Sequence, residues 1–463
     1  MERTNVMTNF KWIGCVALGL GAFAGCGGGS GGEVVSASGT GNADTGPAAS
    51  SETTAASASA SASASASASD TSPDSSGGSS GVVTDTNADG AEGAKFDVGG
   101  LPDAPEIPCT NNGGKGGNGD PDFSYLWAAN STQGTISKID TQSVTEVGRF
   151  VVRPDSNGSP SRTSVNLEGD VAVANRSGGV TKIYALEDRC NESNGTPGIQ
   201  TSTDANFLPW GEEECIAWYS PFAYPSQRPV AWTQGEFNIN TCRYENANLW
   251  TSGSDGATTD VLLLDGEDGA VIDMVTLAGF PADYYGIYGG AVDGEGNFWG
   301  TKLGGVMLVR VDVDDLTYQT WPVPVGSYGM TVDSEGYVWA CNSEYGRFDP
   351  ETETWATGNG GGYSGCMAET GEDGLLWMAA SNQVIGVDRH LLTPVTSFNV
   401  PGSYGISIDY YGYVWTVAYS GGAHRIDKET GVVTSYNGLV GAYTYSDMTG
   451  YALTYAGGGF PSG

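Results

Sequence analysis

The residues that could do chemistry are few and of particular kinds. The chain carries only two histidines, His390 and His424, in 463 residues, which leaves little room for imidazole acid–base catalysis or His-rich metal sites. Tyrosine is plentiful, with 23 copies. Several lie beside a glycine, in Tyr285-Gly286, Tyr328-Gly329, Tyr363-Ser-Gly365 and Tyr404-Gly405, and others fall in the run Tyr443 to Tyr445. Rings gathered around one opening could stack on a sugar, a heterocycle or a peptide aromatic. The same rings could instead cap strands and pack between neighbouring units. A polar group accompanies them: Asn130, Asn175, Arg176, Lys302, Asn342 and Asn382, with Tyr419. Asp255 and Glu344 beside Asn342 would offer oxygen ligands to magnesium or calcium; as solvated loop tips they need hold nothing. Other acids have a simpler reading. Asp293, Asp333 and Asp409 precede tight turns, as do Asp140, Asp265, Asp349 and Asp427, where an Asp bonds the backbone two residues on.

Cysteine and charge narrow the setting. Of eight cysteines, Cys15 lies in an apolar leader and Cys26 just after it. The other six are Cys109, Cys190, Cys215, Cys242, Cys341 and Cys366. An even number without a C-x-x-C spacing suggests disulfides rather than zinc. Cys190–Cys215, Cys341–Cys366 and Cys109–Cys242 are one of the possible pairings. The net charge is −35, from 19 basic and 54 acidic side chains. Such a surface repels a phosphate backbone and disfavours nucleic-acid partners.

These side chains need elements to position them. Residues 1–25 read as an export signal: Arg3 and Lys11 precede an apolar run too short to span a bilayer. Phe23-Ala24-Gly25-Cys26 resembles a bacterial lipobox, with Cys26 lipidated; ordinary cleavage near Ala24 is the alternative. By the lipoprotein sorting pattern, Gly27 points to the outer membrane. Residues 26–121 are rich in Gly, Ser and Ala. They offer too little apolar area to offset ordering entropy, so a disordered tether is expected.

From 122 to 463 the chain repeats. Gly329-Met-Thr-Val-Asp-Ser-Glu-Gly-Tyr-Val-Trp339 matches Gly405-Ile-Ser-Ile-Asp-Tyr-Tyr-Gly-Tyr-Val-Trp415, and Gly290-Ala-Val-Asp-Gly-Glu-Gly-Asn-Phe-Trp299 follows the same plan. Trp299, Trp339, Trp377 and Trp415 are spaced by 40, 38 and 38. Trp250 and Trp127 open similar units, and Val173 fills the slot in another. Each unit reads as four short strands, giving a seven-bladed, all-β propeller. The first unit lacks an opening strand, and the segment around Asp447 is in phase to supply it and close the ring. Residues 188–247, with three cysteines, read as an insert on one face.

This repeat resembles the streptogramin B (virginiamycin B) lyase-like propellers and, more broadly, NHL-type propellers, over about 125–453. The resemblance implies seven blades, magnesium, and a catalytic His with a Glu and a second His on the top face. No Glu-x-His pair accompanies His390 or His424. The expectation is a lipid-anchored binding module for a glycan, peptide or protein at the cell envelope. The alternative is a metal-assisted lyase or hydrolase on the top face.

Overall fold

A computed structural model describes residues 123–281, 283–358, 367–369, 374–419 and 421–456, all within one compact unit, Ala94–Gly463. The leader, the tether, Cys26, Cys109, Tyr363 and Cys366 lie outside the described residues. The described chain is almost wholly β, with a single short α-helix at Leu453–Ala456. No described helix is long and apolar enough to cross a membrane.

Six blade-like sheets follow one another among the described residues. The first holds Tyr125–Asn130, Thr135–Asp140 and Thr145–Val151. The second runs Pro160–Val165, Val171–Asn175, Val180–Ile183 and Ile216–Ser220. The third runs Ser226–Trp232, Asn248–Ser254, Thr259–Asp265 and Val271–Thr276. The fourth spans Ile287–Val292 to Tyr318–Pro322 and the fifth Gly329–Val332 to Thr354–Gly358. The sixth has six strands from Met367–Glu369 to Val433–Tyr436, two of them long, Leu375–Asp388 and Thr393–Ile408. Within the first of these long strands Ser381 sits at φ 57°, and the Trp377 ring lies against Gly386. Nine residues of extended chain would hold those two about 30 Å apart, so the backbone doubles back at Ser381.

Each sheet is an antiparallel meander, and the repeated tryptophan recurs in every one but the second, where Val173 stands in its slot. Trp127, Trp250, Trp299, Trp339, Trp377 and Trp415 are all at most 1% exposed, so each ring is buried in the packing between sheets. The turn aspartates do more than bend the chain. Asp293 Oδ1 accepts the amides of Glu295 and Asn297, Asp333 those of Glu335 and Tyr337, and Asp409 those of Tyr411 and Tyr413. The other oxygen of each accepts the indole N–H six residues on, from Trp299, Trp339 and Trp415, at 2.7–2.8 Å. One carboxylate thereby fixes both the turn and the core ring.

The chain closes on itself through residues 442–449. Tyr443 N–H donates to Ala129 O at 3.1 Å and Trp127 N–H to Met448 O at 2.8 Å, so the segment runs antiparallel along the inner edge of the first sheet. Its other side binds the second sheet: Asp447 Oδ2 accepts from Val165 N–H, and Thr163 N–H donates to Ser446 Oγ. Met448 N–H reaches Ser407 Oγ in the sixth sheet.

The stretch 188–247 corrects the expectation of a single insert. It contains two sheet strands, Ile216–Ser220 and Ser226–Trp232. The excursions proper are two: a loop from 184 to 215, and a hairpin pairing Glu236–Asn238 with Arg243–Glu245. The first loop is tied by a Cys190–Cys215 disulfide. Its shape also depends on Glu214, whose carboxylate accepts amides from Ser193, Asn194 and Gln200. Cys242 is disulfide-bonded, its expected partner Cys109 lying outside the described residues; Cys341 is buried.

Candidate functional site

The innermost strand of several sheets begins with tyrosine, and these starts converge. Tyr328 precedes Gly329, Tyr404 precedes Gly405, and Tyr288 is the second residue of Ile287–Val292. The closing segment adds Tyr443 and Tyr445. Their ring centres stand 4.8–5.9 Å apart in T-shaped, tilted and stacked pairs. Gly405 permits the approach, because a Cβ there would strike the Thr444 carbonyl. The phenol of Tyr288 bonds those of Tyr328 at 3.2 Å and Tyr443 at 3.1 Å. Tyr328 bonds Tyr404 and Tyr443 as well.

Burial raises the Tyr288 and Tyr328 phenols. Burial also pushes Tyr443 upward, but hydroxyl donation from Tyr288, Tyr328 and Tyr404, with the charge of Arg162, outweighs it and leaves Tyr443 lowered.

Arginines border the rings. The buried Arg162 guanidinium lies 3.0 Å from the Tyr445 ring centre and donates twice to Tyr288 O. Arg228 lies 4.8 Å from the centres of both Tyr285 and Tyr288, and Arg176 lies 4.8 Å from Tyr443. Two tyrosines form an open rim: Tyr285 is 38% exposed and Tyr419 61%. Tyr285 packs edge-on against Tyr288, and Tyr419 against Tyr404 and Tyr443.

Beneath the cluster is a cavity of about 80 Å³ in the core of the ring, lined in part by Arg162, Ser164, Thr331, Ser407, Asp447 and Thr449. That volume holds a handful of waters and no larger ligand. Burial raises the Asp447 carboxyl, although amides of Val165, Gly450 and Thr449 bond it. A ligand of ordinary size would therefore meet the outer faces of the rings.

The other anticipated residues fall elsewhere. Asn130 and Asn175 are fully buried. The Asn130 amide donates to Thr135 and Ser137 and its oxygen accepts Val440 N–H. Asn175 donates to the Val152 and Gly179 carbonyls. Both are turn-holding residues. Lys302 pairs with Asp283. Burial works against the Asp283 charge, but Lys302 and the amides of Gly286 and Tyr285 hold its carboxyl below the usual range. Asn342 N–H bonds Glu344 O, and the Glu344 side chain is exposed.

Asp255, anticipated as an oxygen ligand for a cation, serves its own turn. Asp255 Oδ1 accepts Ala257 and Thr258 amides in an Asx turn. Among the described residues no three His, Cys, Asp or Glu side chains gather to hold a metal. His390 pairs with Glu335 at 3.5 Å, and His424 Nδ1 bonds Ser435 Oγ.

Tyr288, Arg162 and Arg228 were not anticipated. Tyr288 was findable: it stands five residues before Asp293, as Tyr328 does before Asp333 and Tyr404 before Asp409. Nothing in the sequence marks the two arginines, which come from sheets whose repeat is degenerate.

No family model matches the chain, and no curated protein matches it either. Among solved structures there are similarities at low identity. A catalytically inactive virginiamycin B lyase from Staphylococcus aureus, with quinupristin, is 15% identical over 61% of this chain and 85% of its own, with a TM-score of 0.42. A functionally unknown protein from Desulfotomaculum acetoxidans is 11% identical over 70% and 99%, at 0.49. The dihydro-heme d1 dehydrogenase NirN is 10% identical over 71% and 76%, at 0.45. The propeller assignment rests on the sheets themselves.

Proposed function

We propose that this is an exported, lipid-anchored, seven-bladed propeller that binds a ligand on the tyrosine face of its ring and does not turn it over. One observation carries the reading: tyrosines from the fourth, fifth and sixth sheets and from the closing segment meet at one point, with Tyr285 and Tyr419 left open at its rim. Exposed aromatic faces around a fixed cluster are a stacking platform needing little ordering on binding. The count of seven takes the six-stranded sheet as two blades, one for Trp377 and one for Trp415, divided after the hairpin at Ser381. Cys26 would carry the lipid, and residues 26–121 would tether the ring to the outer membrane.

The test is an array of glycans and peptides probed with the purified protein, beside Tyr404→Ala and Tyr419→Ala. Binding that falls at least tenfold in both variants supports the reading. Turnover in a lyase and lactonase screen would contradict it. For the anchor, Cys26→Ser should abolish incorporation of an alkynyl fatty acid and release the protein from the membrane fraction.

A further inference from the structure

We propose that the tyrosine mouth is an anion site, taking a ligand that carries a carboxylate or a phosphate or sulfate group, held by Arg228 and Arg176. The inference rests on the binding role assigned above and names the chemistry of the ligand. Only 19 basic residues stand against 54 acidic ones, yet three arginines border this one cluster.

Arg228 is the sharpest sign. It lies on the innermost strand of the third sheet and is 6% exposed. Its Nε donates to Ser226 Oγ at 3.2 Å, and its plane is flanked by the Tyr285 and Tyr288 rings. Its two terminal nitrogens donate to no described group, and it makes no ion pair among the described residues. Asp283, the carboxylate beside Tyr285 in sequence, is held by Lys302 and by two amides. A guanidinium mostly withdrawn from water without a counter-ion is costly, ring faces offset only part of that cost, and its terminal nitrogens still reach solvent where an anion could meet them. An arriving anion would supply the rest, and the two terminal nitrogens form the fork that grips such groups in pairs.

Arg176 is fixed in the same way. Its Nε and Nη2 bond Ser159 O and Oγ, while Nη1 donates to no described group. The phenols and ring faces between the two arginines would hold the body of the ligand.

The experiment is calorimetric titration of the purified protein with p-hydroxybenzoate and with its neutral twin, p-hydroxybenzamide. The carboxylate should bind at least tenfold more tightly, and raising the salt should weaken it. Arg228→Gln and Arg176→Gln should each lower its affinity tenfold or more. Arg176 is half-buried, so its variant should fold and serve even if Arg228→Gln folds poorly. Competition by inorganic phosphate or sulfate assigns an oxyanion ligand; competition by acetate alone assigns a carboxylate. Equal binding of acid and amide, or unchanged carboxylate affinity in Arg176→Gln, overturns the anion site. If both probes then lose binding in Tyr404→Ala, the tyrosine platform stands without it. No binding of either probe at millimolar concentration also overturns the anion site, and the array decides the platform separately.

Discussion

Replacing Asp409 by Asn should change how stability depends on pH. Asp409 is fully buried. Burial pushes its carboxyl up to about 6, even though Trp415 and the amides of Tyr413 and Tyr411 bond it. In an unfolded chain the group titrates near 3.9. The native state therefore holds this proton more tightly. Its contribution to stability is full below about pH 4 and is lost as pH rises through about 6. A gap of about two units is worth about 3 kcal/mol. Asn keeps an oxygen for the Tyr411 and Tyr413 amides but turns an NH₂ toward the Trp415 indole N–H. Leaving that buried donor unmet costs about 1–3 kcal/mol. The variant should thus be clearly less stable at pH 4, and the deficit should shrink by about 3 kcal/mol, or vanish, by pH 8. Urea unfolding from pH 4 to 8, followed by tryptophan fluorescence, measures the difference, and titrations shared by both proteins cancel. Parallel curves, with a difference constant to within about 0.5 kcal/mol, would refute the reasoning.

Other outcomes follow from the packing. Opening the Cys190–Cys215 loop with Cys215→Ser should cost up to about 3.5 kcal/mol in the loop-closure picture, visible as a lower melting temperature that reductant no longer changes further at this bond. Glu146→Ala leaves Arg149 buried without the partner it holds at 2.8 Å, and should cost about 3–5 kcal/mol in denaturant unfolding. Removing residues 442–463 takes away the closing segment that bonds both the first and second sheets, so limited proteolysis should cut near 125–165 where the full chain resists. Met330→Ala beside the small inner cavity removes a half-buried side chain, so it should destabilise by less than the ~2–5 kcal/mol of a fully buried truncation and leave binding at the tyrosine face unchanged by calorimetry.

Much of the blade plan was legible because two signals coincide in one unit. In three repeats a Gly and Asp turn punctuates the unit and a tryptophan sits six residues after the Asp, at Trp299, Trp339 and Trp415. The structure joins the two through one carboxylate. The second and third sheets were harder to read. Ile216–Ser220 and Ser226–Trp232 carry no turn signature at the repeat spacing, and Trp232 occupies an innermost strand rather than the usual slot. Within the site, tyrosines before glycine could be read from local sequence, but Tyr288 required counting back from Asp293. Arg162 and Arg228 could not be found that way. They meet the rings only after separate sheets are packed around one axis, and no local pattern encodes that meeting. Asn130 and Asn175 show the converse: their polarity suggested a ligand-facing role, yet they are fully buried and their amides are needed to satisfy turns inside the protein.

The closing segment also governs when the protein can fold. Asp447 bonds Val165 across 282 residues, and closing a loop of that length costs about 5 kcal/mol in chain entropy beyond a constant term. Each later sheet can pair with its neighbour as synthesis proceeds, but the first sheet cannot gain its inner strand until the far end of the polypeptide exists. Its inner edge stays open through nearly all of elongation, ready to pair with any strand it meets. The assembly is therefore one of high contact order, with its slow step at the end. Until then the edge at Tyr125–Asn130 is the clearest target for a mispaired strand, or for a helper that shields one.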